Sequence, residues 1–216
     1  MPTRKVELAN NNFYHVFNRG TDKRAIVMSP DDVDRFFESI ALFNSLSPIG
    51  SIFEHRFQKE QSTPPKLVRI VAYCLNPNHF HLILEQVADK GIEKFLQRVG
   101  NGYTKYFNKK YKRSGVLFQG PFKAVHLRTD WELVDTSVYV NLNAKRHQLG
   151  HRMSKLSQSS WNEYTKPSRS QGKVLCHTEP ALAHFSSPQE YKTYALRELP
   201  RIIAEKEAIK EIYKLQ

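Results

Sequence analysis

Two histidines, His79 and His81, stand two residues apart in the segment NPNHFHLILEQ, residues 76–86. Side chains at positions i and i+2 of a β-strand point to the same face of the sheet, so both imidazoles could bind one metal ion. Imidazole is a common metal ligand, but the same spacing also occurs among ordinary structural histidines. The pair by itself leaves both interpretations open.

Charge indicates what such a site would act on. Lys and Arg outnumber Asp and Glu by 33 to 21, and the net charge of +12 favours a polyanionic partner. No acidic residue occurs between Lys94 and Thr129, where basic and aromatic residues alternate. This mixture can bind phosphates and stack on unpaired bases, although a solvated basic face above core aromatics would give the same pattern. A metal ion with few protein ligands in such surroundings suits the polarisation of a phosphodiester.

Length and composition limit the class of protein. A chain of 216 residues with 40% apolar side chains is long enough for one domain with a good core and an appendage. The longest apolar runs, such as LVRIVAYCL, are shorter than the roughly 20 residues that span a bilayer, and no N-terminal run resembles a signal peptide. Two cysteines, Cys74 and Cys176, indicate neither a disulfide framework nor a cysteine zinc site. We expect a cytoplasmic protein without a membrane partner.

The first half of the chain predicts a strand, a helix and a hairpin. NNFYHVFNRG alternates as a strand that ends at Gly20. SPDDVDRFFESIALFNSL predicts a helix with Ser29 as its cap and Pro30 in its first position. LVRIVAYCL and HFHLILEQ predict two strands joined at the NPN turn.

The second half predicts two long helices around one strand. KGIEKFLQRVGNGYTKYFNKKY has helical spacing, and GVLFQGPFKAVHLRT gives a turn and a strand. TDWELVDTSVYVNLNAKRHQLG opens with the capping box Thr129-x-x-Glu132 and predicts a helix that closes at residues 149–150. Its predicted buried stripe consists of Trp131, Val134, Val138 and Leu142.

This order of elements predicts an α+β fold. It matches the ferredoxin-like split βαβ pattern, an antiparallel sheet with helices on one face. Residues 1–150 form the predicted domain. Residues 151–216 form a linker and a helical C-terminal extension, to which no chemistry is assigned.

Several segments together resemble a known family. NPNHFHLIL is similar to the histidine-hydrophobe-histidine (HUH) motif of the single-tyrosine transposases. YTKYFNKKYKRSGVLFQGPFKA is similar to the segment that follows this motif in the REP-associated tyrosine transposases (RAYT). YHVFNRGTDKR, YVNLNAKRHQLG and SSWNEY also resemble segments of that family. The motifs follow the family's order over roughly residues 13–165.

The resemblance implies a catalytic tyrosine and a third metal ligand. The family carries its nucleophile in a helix as Tyr-x-x-x-Asn, and the amide oxygen completes the metal site that the two histidines begin. YVNLN fits this spacing, so the resemblance makes Tyr139 the nucleophile and Asn143 a metal ligand beside His79 and His81. The family usually continues Asn-Pro, whereas this chain has Ala144. The implied cofactor is Mg²⁺ or Mn²⁺, of which Mn²⁺ suits nitrogen ligands better.

Other residues remain alternatives for these roles. Tyr103 and Tyr106 fall on the apolar stripe of their helix, which favours core packing or base stacking over catalysis. Tyr111 is a further candidate nucleophile. Glu85 shares the strand face of the histidines and could assist the metal, or it could simply be solvated.

The implied activity is that of a DNA transposase. Such a protein is a site-specific endonuclease and strand transferase that cuts single-stranded DNA beside a hairpin through a covalent 5′-phosphotyrosine, acting as a monomer or homodimer. The alternatives are a replication- or conjugation-type HUH nickase and a catalytically silent nucleic-acid-binding domain. The expected DNA contacts are Arg19, Lys23, Lys105, Lys109, Lys110, Lys112, Arg113, Lys123, Lys145 and Arg146.

Overall fold

The centre of the fold is a five-stranded antiparallel sheet. The structure, a computed structural model, describes residues 6–55, 64–143, 156–166 and 174–214. Its strands are β1 (Phe13–Arg19), β2 (Val68–Asn76), β3 (His79–Gln86), β4 (Lys123–Leu127) and β5 (Gln158–Ser159). They lie in the order β4-β1-β3-β2-β5, and each neighbouring pair is antiparallel. The predicted α+β class is confirmed, and β5 extends the split βαβ sheet beside β2.

Helices connect the strands in the predicted order. The α-helices of the described ranges are α1 (Pro30–Leu42), α2 (Ile52–His55), α3 (Gly91–Lys110), α4 (Asp130–Asn141), α5 (Trp161–Thr165), α6 (Glu179–Leu182) and α7 (Pro188–Lys214). α1 begins at a capping box between Ser29 and Asp32, with Pro30 in its first turn. Within the described ranges, no helix is both long enough and apolar enough to cross a membrane.

β2 and β3 carry buried apolar side chains on both faces of the sheet. On one face Phe80, Leu82 and Leu84 belong to a core that α1 and α3 cover. On the other face Ile83 belongs to a second core with Val138 of α4. Strands that are apolar on both sides must be covered on both sides. The prediction of helices on one face is therefore wrong for α4, although it holds for α1 and α3.

α4 begins where the sequence predicts and is shorter than predicted. Thr129 Oγ1 accepts the Glu132 amide N–H at 3.1 Å, which caps the first turn. The helix ends at Asn141. Residues 144–150, the rest of the predicted helix, lie outside the described ranges.

The predicted buried stripe of α4 needs one correction. Val134, Val138 and Leu142 are buried as predicted, but Trp131 is 54% exposed. Leu133 is buried in its place. Because two residues of an α-helix are about 200° apart around its axis, Leu133 and Trp131 cannot both face the sheet.

The C-terminal helices pack against α4 and β2. Tyr164 of α5, Ala181 of α6 and Tyr191 of α7 are fully buried in the second core. The Tyr191 hydroxyl lies 3.0 Å from Ser137 Oγ and accepts a hydrogen bond from Asn141 Nδ2 at 3.1 Å. The second core therefore contains residues from both predicted segments, 1–150 and 151–216.

Two glycines in the middle of α3 allow a matched test of packing. A Cβ added at Gly102 would lie 2.4 Å from Phe43 Cε2, whereas one at Gly100 would meet no atom within 4 Å. We expect Gly102→Ala to lower the free energy of unfolding by about 1–3 kcal/mol, because the buried Phe43 ring must move out of its packed position. Gly100→Ala should raise it by about 0.5–1 kcal/mol, because alanine favours the helix. Urea denaturation measures both, and equal effects would contradict the close helix contact.

Candidate active site

The β2–β3 hairpin positions the two histidines. Its turn has two residues, Pro77 and Asn78, and pairs Asn76 with His79. The rings of His79 and His81 have centroids 5.3 Å apart and planes at 87°. Both lie on the face that α4 covers, because they alternate with the residues that face α1 and α3. The predicted arrangement on one face is present.

α4 and the residues just after it bring the other two predicted side chains to the histidines. The Tyr139 ring meets the His81 ring edge-on, with centroids 5.7 Å apart. Asn143 Oδ1 lies 3.2 Å from His79 Nε2. Tyr139 is 3% exposed and Asn143 is 1% exposed. The four selected residues form one cluster, although two distant segments supply them.

The hydrogen bonds of His79 indicate that Nε2 carries the lone pair of the ring, which faces the donor Asn76 Nδ2 at 3.0 Å. Asn78 Oδ1 lies 2.6 Å from His79 Nδ1, and an amide oxygen only accepts, so Nδ1 carries the proton. Nε2 therefore presents a lone pair toward another acceptor, Asn143 Oδ1, at 3.2 Å. Adjacent ligands of an octahedral ion with bonds of about 2.1 Å lie roughly 3 Å apart, so this pair fits Mg²⁺ or Mn²⁺.

Amide oxygens would be essential to such a site. The described ranges contain no cluster of three or more His, Cys, Asp and Glu side chains that could hold a metal ion. An ion at His79 and His81 would therefore depend on amide oxygens such as Asn143 Oδ1. This neutral ligand set is weak by itself and favours an ion that also binds a negatively charged phosphate.

A third histidine, His15 of β1, belongs to the cluster and was not selected from the sequence. His15 Nε2 lies 2.9 Å from His81 Nδ1, and the two rings stack with centroids 5.1 Å apart. His15 also meets the ring edge of Tyr139 at 6.0 Å. If His81 donates its Nδ1 proton to His15, its Nε2 is left to bind a cation. The alternation of side chains along β1 predicts that His15 shares a face of its strand with Phe13 and Phe17. Only the pairing of β1 with β3 places His15 beside His81.

Two predicted DNA contacts lie in line with the histidines across neighbouring strands of the sheet. Arg19 pairs with His79 across β1 and β3. Lys123 pairs with Phe17, which in turn pairs with His81. Directly paired residues project from the same face, so Lys123 lies two strands from His81, roughly 10 Å away. Arg19 and Lys123 are both exposed.

The rival tyrosines lie on the opposite face of the sheet. The hydroxyl of Tyr103, which is fully buried, donates to the Ile26 carbonyl at 2.6 Å, and burial raises the pKa of Tyr103. Tyr106 and Tyr111 donate to the Asp32 carboxylate at 3.0 and 2.6 Å. Tyr106 and Tyr111 connect α3 and the residue after it to α1, and Tyr103 connects α3 to Ile26 before α1. Their hydroxyls therefore have structural partners away from the histidines.

The same Asp32 carboxylate binds one of the predicted DNA contacts. Lys110 Nζ lies 2.7 Å from Asp32 Oδ1, and the Asp32 side chain is fully buried. A DNA phosphate would have to compete with this ion pair, so the structure gives Lys110 a role in packing. Of the other predicted contacts, Lys23, Lys105, Lys109 and Lys112 are exposed, Arg113 stacks on Phe107, and Lys145 and Arg146 lie outside the described ranges.

Glu85 is engaged elsewhere. Its two carboxylate oxygens accept hydrogen bonds from Arg69 Nη1 at 3.0 and 3.1 Å. Glu85 also lies four residues beyond His81 in β3, a distance of roughly 13 Å along the strand. Both observations argue against help from Glu85 in holding a metal at the histidines.

Comparisons with known proteins give only distant likenesses. No model of a protein family matches the chain, and no curated protein matches it. A solved structure of a REP-associated tyrosine transposase bound to a REP hairpin aligns with a TM-score of 0.43 and 10% identity, over 68% of this chain and 75% of that chain. A bacterial tRNA(His) guanylyltransferase-like protein in complex with ATP aligns with a TM-score of 0.40 and 9% identity, over 83% and 74%. At this distance neither likeness carries an argument about activity.

The buried carboxylate of Asp32 can be tested against its exposed neighbour Asp31. Burial by itself raises the pKa of Asp32, but hydrogen bonds from Lys110, Tyr111, the Met28 amide and Tyr106 together hold it below its ordinary value of 3.8. We expect Asp32→Asn to lower the free energy of unfolding by about 2–4 kcal/mol, because Lys110 loses its partner. Asp31→Asn, at a carboxylate that is 82% exposed, should change it by less than about 1 kcal/mol.

The effect of Asp32→Asn should depend on pH. A carboxyl with a lowered pKa in the folded state stabilises the protein fully above its unfolded pKa, and that stabilisation is lost as the pH falls through the folded pKa. The gap between wild type and Asp32→Asn should therefore be constant near pH 7 and shrink below about pH 4. Urea denaturation at several pH values measures the gap, and one that persists unchanged at pH 2–3 would argue against the ion pair.

Proposed function

We propose that this protein is a metal-dependent DNA transposase, a site-specific endonuclease and strand transferase acting on single-stranded DNA beside a hairpin. The observation that supports this most directly is the meeting of Tyr139 and Asn143 with His79 and His81 on one face of the sheet. A nucleophile beside a candidate cation site is the minimum that cleavage of a phosphodiester by a side chain requires.

Tyr139 is the proposed nucleophile. Its hydroxyl oxygen attacks a DNA phosphorus, an O–P bond forms to the tyrosine, and the bond from phosphorus to the 3′ oxygen breaks. The phenol proton is transferred, overall, to the departing 3′ oxygen. The products are a 5′-phosphotyrosine and a free 3′-OH, and attack by another 3′-OH reverses the step and transfers the strand. Because one phosphodiester replaces another, no ATP is needed.

His79, His81 and Asn143 are the proposed holders of Mg²⁺ or Mn²⁺. When bound, the ion acts as a Lewis acid on the non-bridging oxygen of the scissile phosphate. His15 would orient His81 through their contact at 2.9 Å. Asn78 would keep the His79 proton on Nδ1, so that Nε2 keeps a lone pair that can either accept from Asn76 Nδ2 or bind the cation.

The proposed DNA path crosses the end of the sheet where β1 ends and β3 begins, beside these residues. Arg19 pairs with His79, and Lys123 lies in line with His81 two strands away. Both cations would bind phosphates on either side of the scissile phosphate. Lys105, Lys109 and Lys112 are further exposed cations on α3 and just after its end, and α3 lies on the face of the sheet opposite the histidines. Phosphate contacts of this kind would position the strand without reading its sequence.

Burial of the site favours one alternative function. Tyr139 is only 3% exposed, so in this conformation a strand has little access to its ring. A nucleic-acid-binding domain that uses the basic surface and performs no chemistry would need no such access. Formation of a covalent adduct separates the two functions.

Replacement of Tyr139 by phenylalanine tests the nucleophile. The ring packing remains and only the hydroxyl is lost, so we expect hairpin DNA to bind as before while covalent adduct formation falls by about 10⁴-fold or more. The assay incubates hairpin DNA labelled at its 3′ end with protein and Mn²⁺. A denaturing gel then detects the labelled downstream fragment, which is linked to the protein through its 5′ phosphate.

Tyr111→Phe is the matched control for this experiment. Its hydroxyl binds Asp32 on the other face of the sheet, so the adduct should still form. An adduct with Tyr139→Phe would reject this nucleophile, and absence of any adduct with wild type would favour the binding domain.

Removal of one imidazole tests the cation site. We expect His81→Ala to weaken Mn²⁺ binding by more than about tenfold, as loss of a ligand does. His126→Ala is the control, because His126 stacks on Tyr14 on the other face of the sheet and should leave binding unchanged. Electron paramagnetic resonance of free Mn²⁺ gives both affinities, and equal effects of the two variants would contradict the proposed site.

A further inference from the structure

Asn76, the last residue of β2, lies against the proposed cation ligands. It pairs with His79 across the hairpin, so the two side chains project from the same face. Asn76 Nδ2 lies 2.9 Å from Asn143 Oδ1 and 3.0 Å from His79 Nε2. Asn76 is completely buried. Its amide therefore occupies the point toward which two proposed ligands direct their lone pairs.

The hydrogen bonds of the two buried amides are incomplete. Asn76 Oδ1 and Asn143 Nδ2 are both buried, and neither has a hydrogen-bond partner among the residues that the structure describes. Buried polar atoms in folded proteins are nearly always paired, and an unpaired one destabilises the fold. Apolar residues could fill this space without that cost, so the amides indicate a function that a packing role does not explain.

Rotation of the Asn76 amide by a half turn would exchange its nitrogen and oxygen. This terminal torsion is broad and roughly two-fold, so both orientations are accessible. With Nδ2 inward, its N–H groups satisfy the lone pairs of His79 and Asn143 in the protein alone. With Oδ1 inward, Asn76 Oδ1, His79 Nε2 and Asn143 Oδ1 all face one point. Three electron-pair donors can bind a cation there, but they cannot form hydrogen bonds with one another.

We propose that Asn76 is a further cation ligand, which binds Mg²⁺ or Mn²⁺ through Oδ1 after its amide rotates. This inference rests on the proposed cation site and adds an oxygen ligand that the two-histidine pattern does not include. Asn76 then has two roles: it holds His79 and Asn143 in place when no ion is bound, and it strengthens an otherwise weak neutral ligand set when one is.

Binding of Mn²⁺ alone to the full chain tests this inference without any activity assay. Asn76→Asp places a charged oxygen at the same position and removes the N–H donors. A ligand role predicts Mn²⁺ binding at least tenfold tighter at pH 7.5, whereas a purely positioning role predicts weaker binding. Asn76→Leu should weaken binding at least fivefold, and circular dichroism verifies that both variants fold.

Asn18→Asp controls for general attraction of a cation to added charge. Asn18 is in β1 and pairs with Phe80, so its side chain lies on the opposite face of the sheet. This variant should change Mn²⁺ affinity by less than twofold. Equal tightening by Asn18→Asp and Asn76→Asp would overturn the ligand role.

The outcomes separate this inference from the proposed function. If wild type binds Mn²⁺ and His81→Ala does not, but Asn76→Asp binds no more tightly than wild type, then the cation site stands and the role of Asn76 as a ligand is wrong. If wild type itself binds no Mn²⁺, both proposals are overturned.

Discussion

β2 and β3 are buried on both faces, and the positions of the other elements follow from the need to cover them. α1 and α3 close over Phe80, Leu82 and Leu84, and α4 closes over Ile83. Helices on both sides exclude water from the sheet and bury polar groups that would otherwise be solvated. The histidines of β3 lie on the α4 side, so the helix that completes the core there also carries Tyr139 to them.

The two faces separate structural chemistry from candidate catalytic chemistry. On the α1 and α3 side, the buried Asp32 carboxylate gathers the hydroxyls of Tyr106 and Tyr111 and the ammonium of Lys110. On the α4 side, the polar groups beside His79 and His81 are imidazoles and amides, and the Glu85 carboxylate of that face is paired with Arg69 farther along β3. A site of uncharged electron-pair donors can bind a DNA phosphate together with a cation. A buried carboxylate beside the bound DNA would instead repel the phosphate.

The C-terminal segment supports the helix of the candidate nucleophile. Asn141, two residues after Tyr139, donates to the Tyr191 hydroxyl and accepts from Ser160 Oγ at 2.6 Å. Asp135 of the same helix binds Arg201 of α7 at 2.9 Å. These contacts restrict movement of α4 relative to the sheet, so α7 contributes to the geometry of the site through α4.

The sequence by itself determined the elements and the local parts of the site. Alternation and helical spacing predicted β1, the hairpin, α1 and α3, and placed His79 and His81 on one face, because these patterns depend only on neighbouring residues. The family resemblance selected Tyr139 and Asn143. Tertiary structure decided what periodicity cannot: that α4 covers the second face and turns Trp131 outward, and that strand register and hairpin pairing bring His15 and Asn76 into the cluster. These contacts join residues far apart in the chain or across a turn, so only the folded sheet gives their distances.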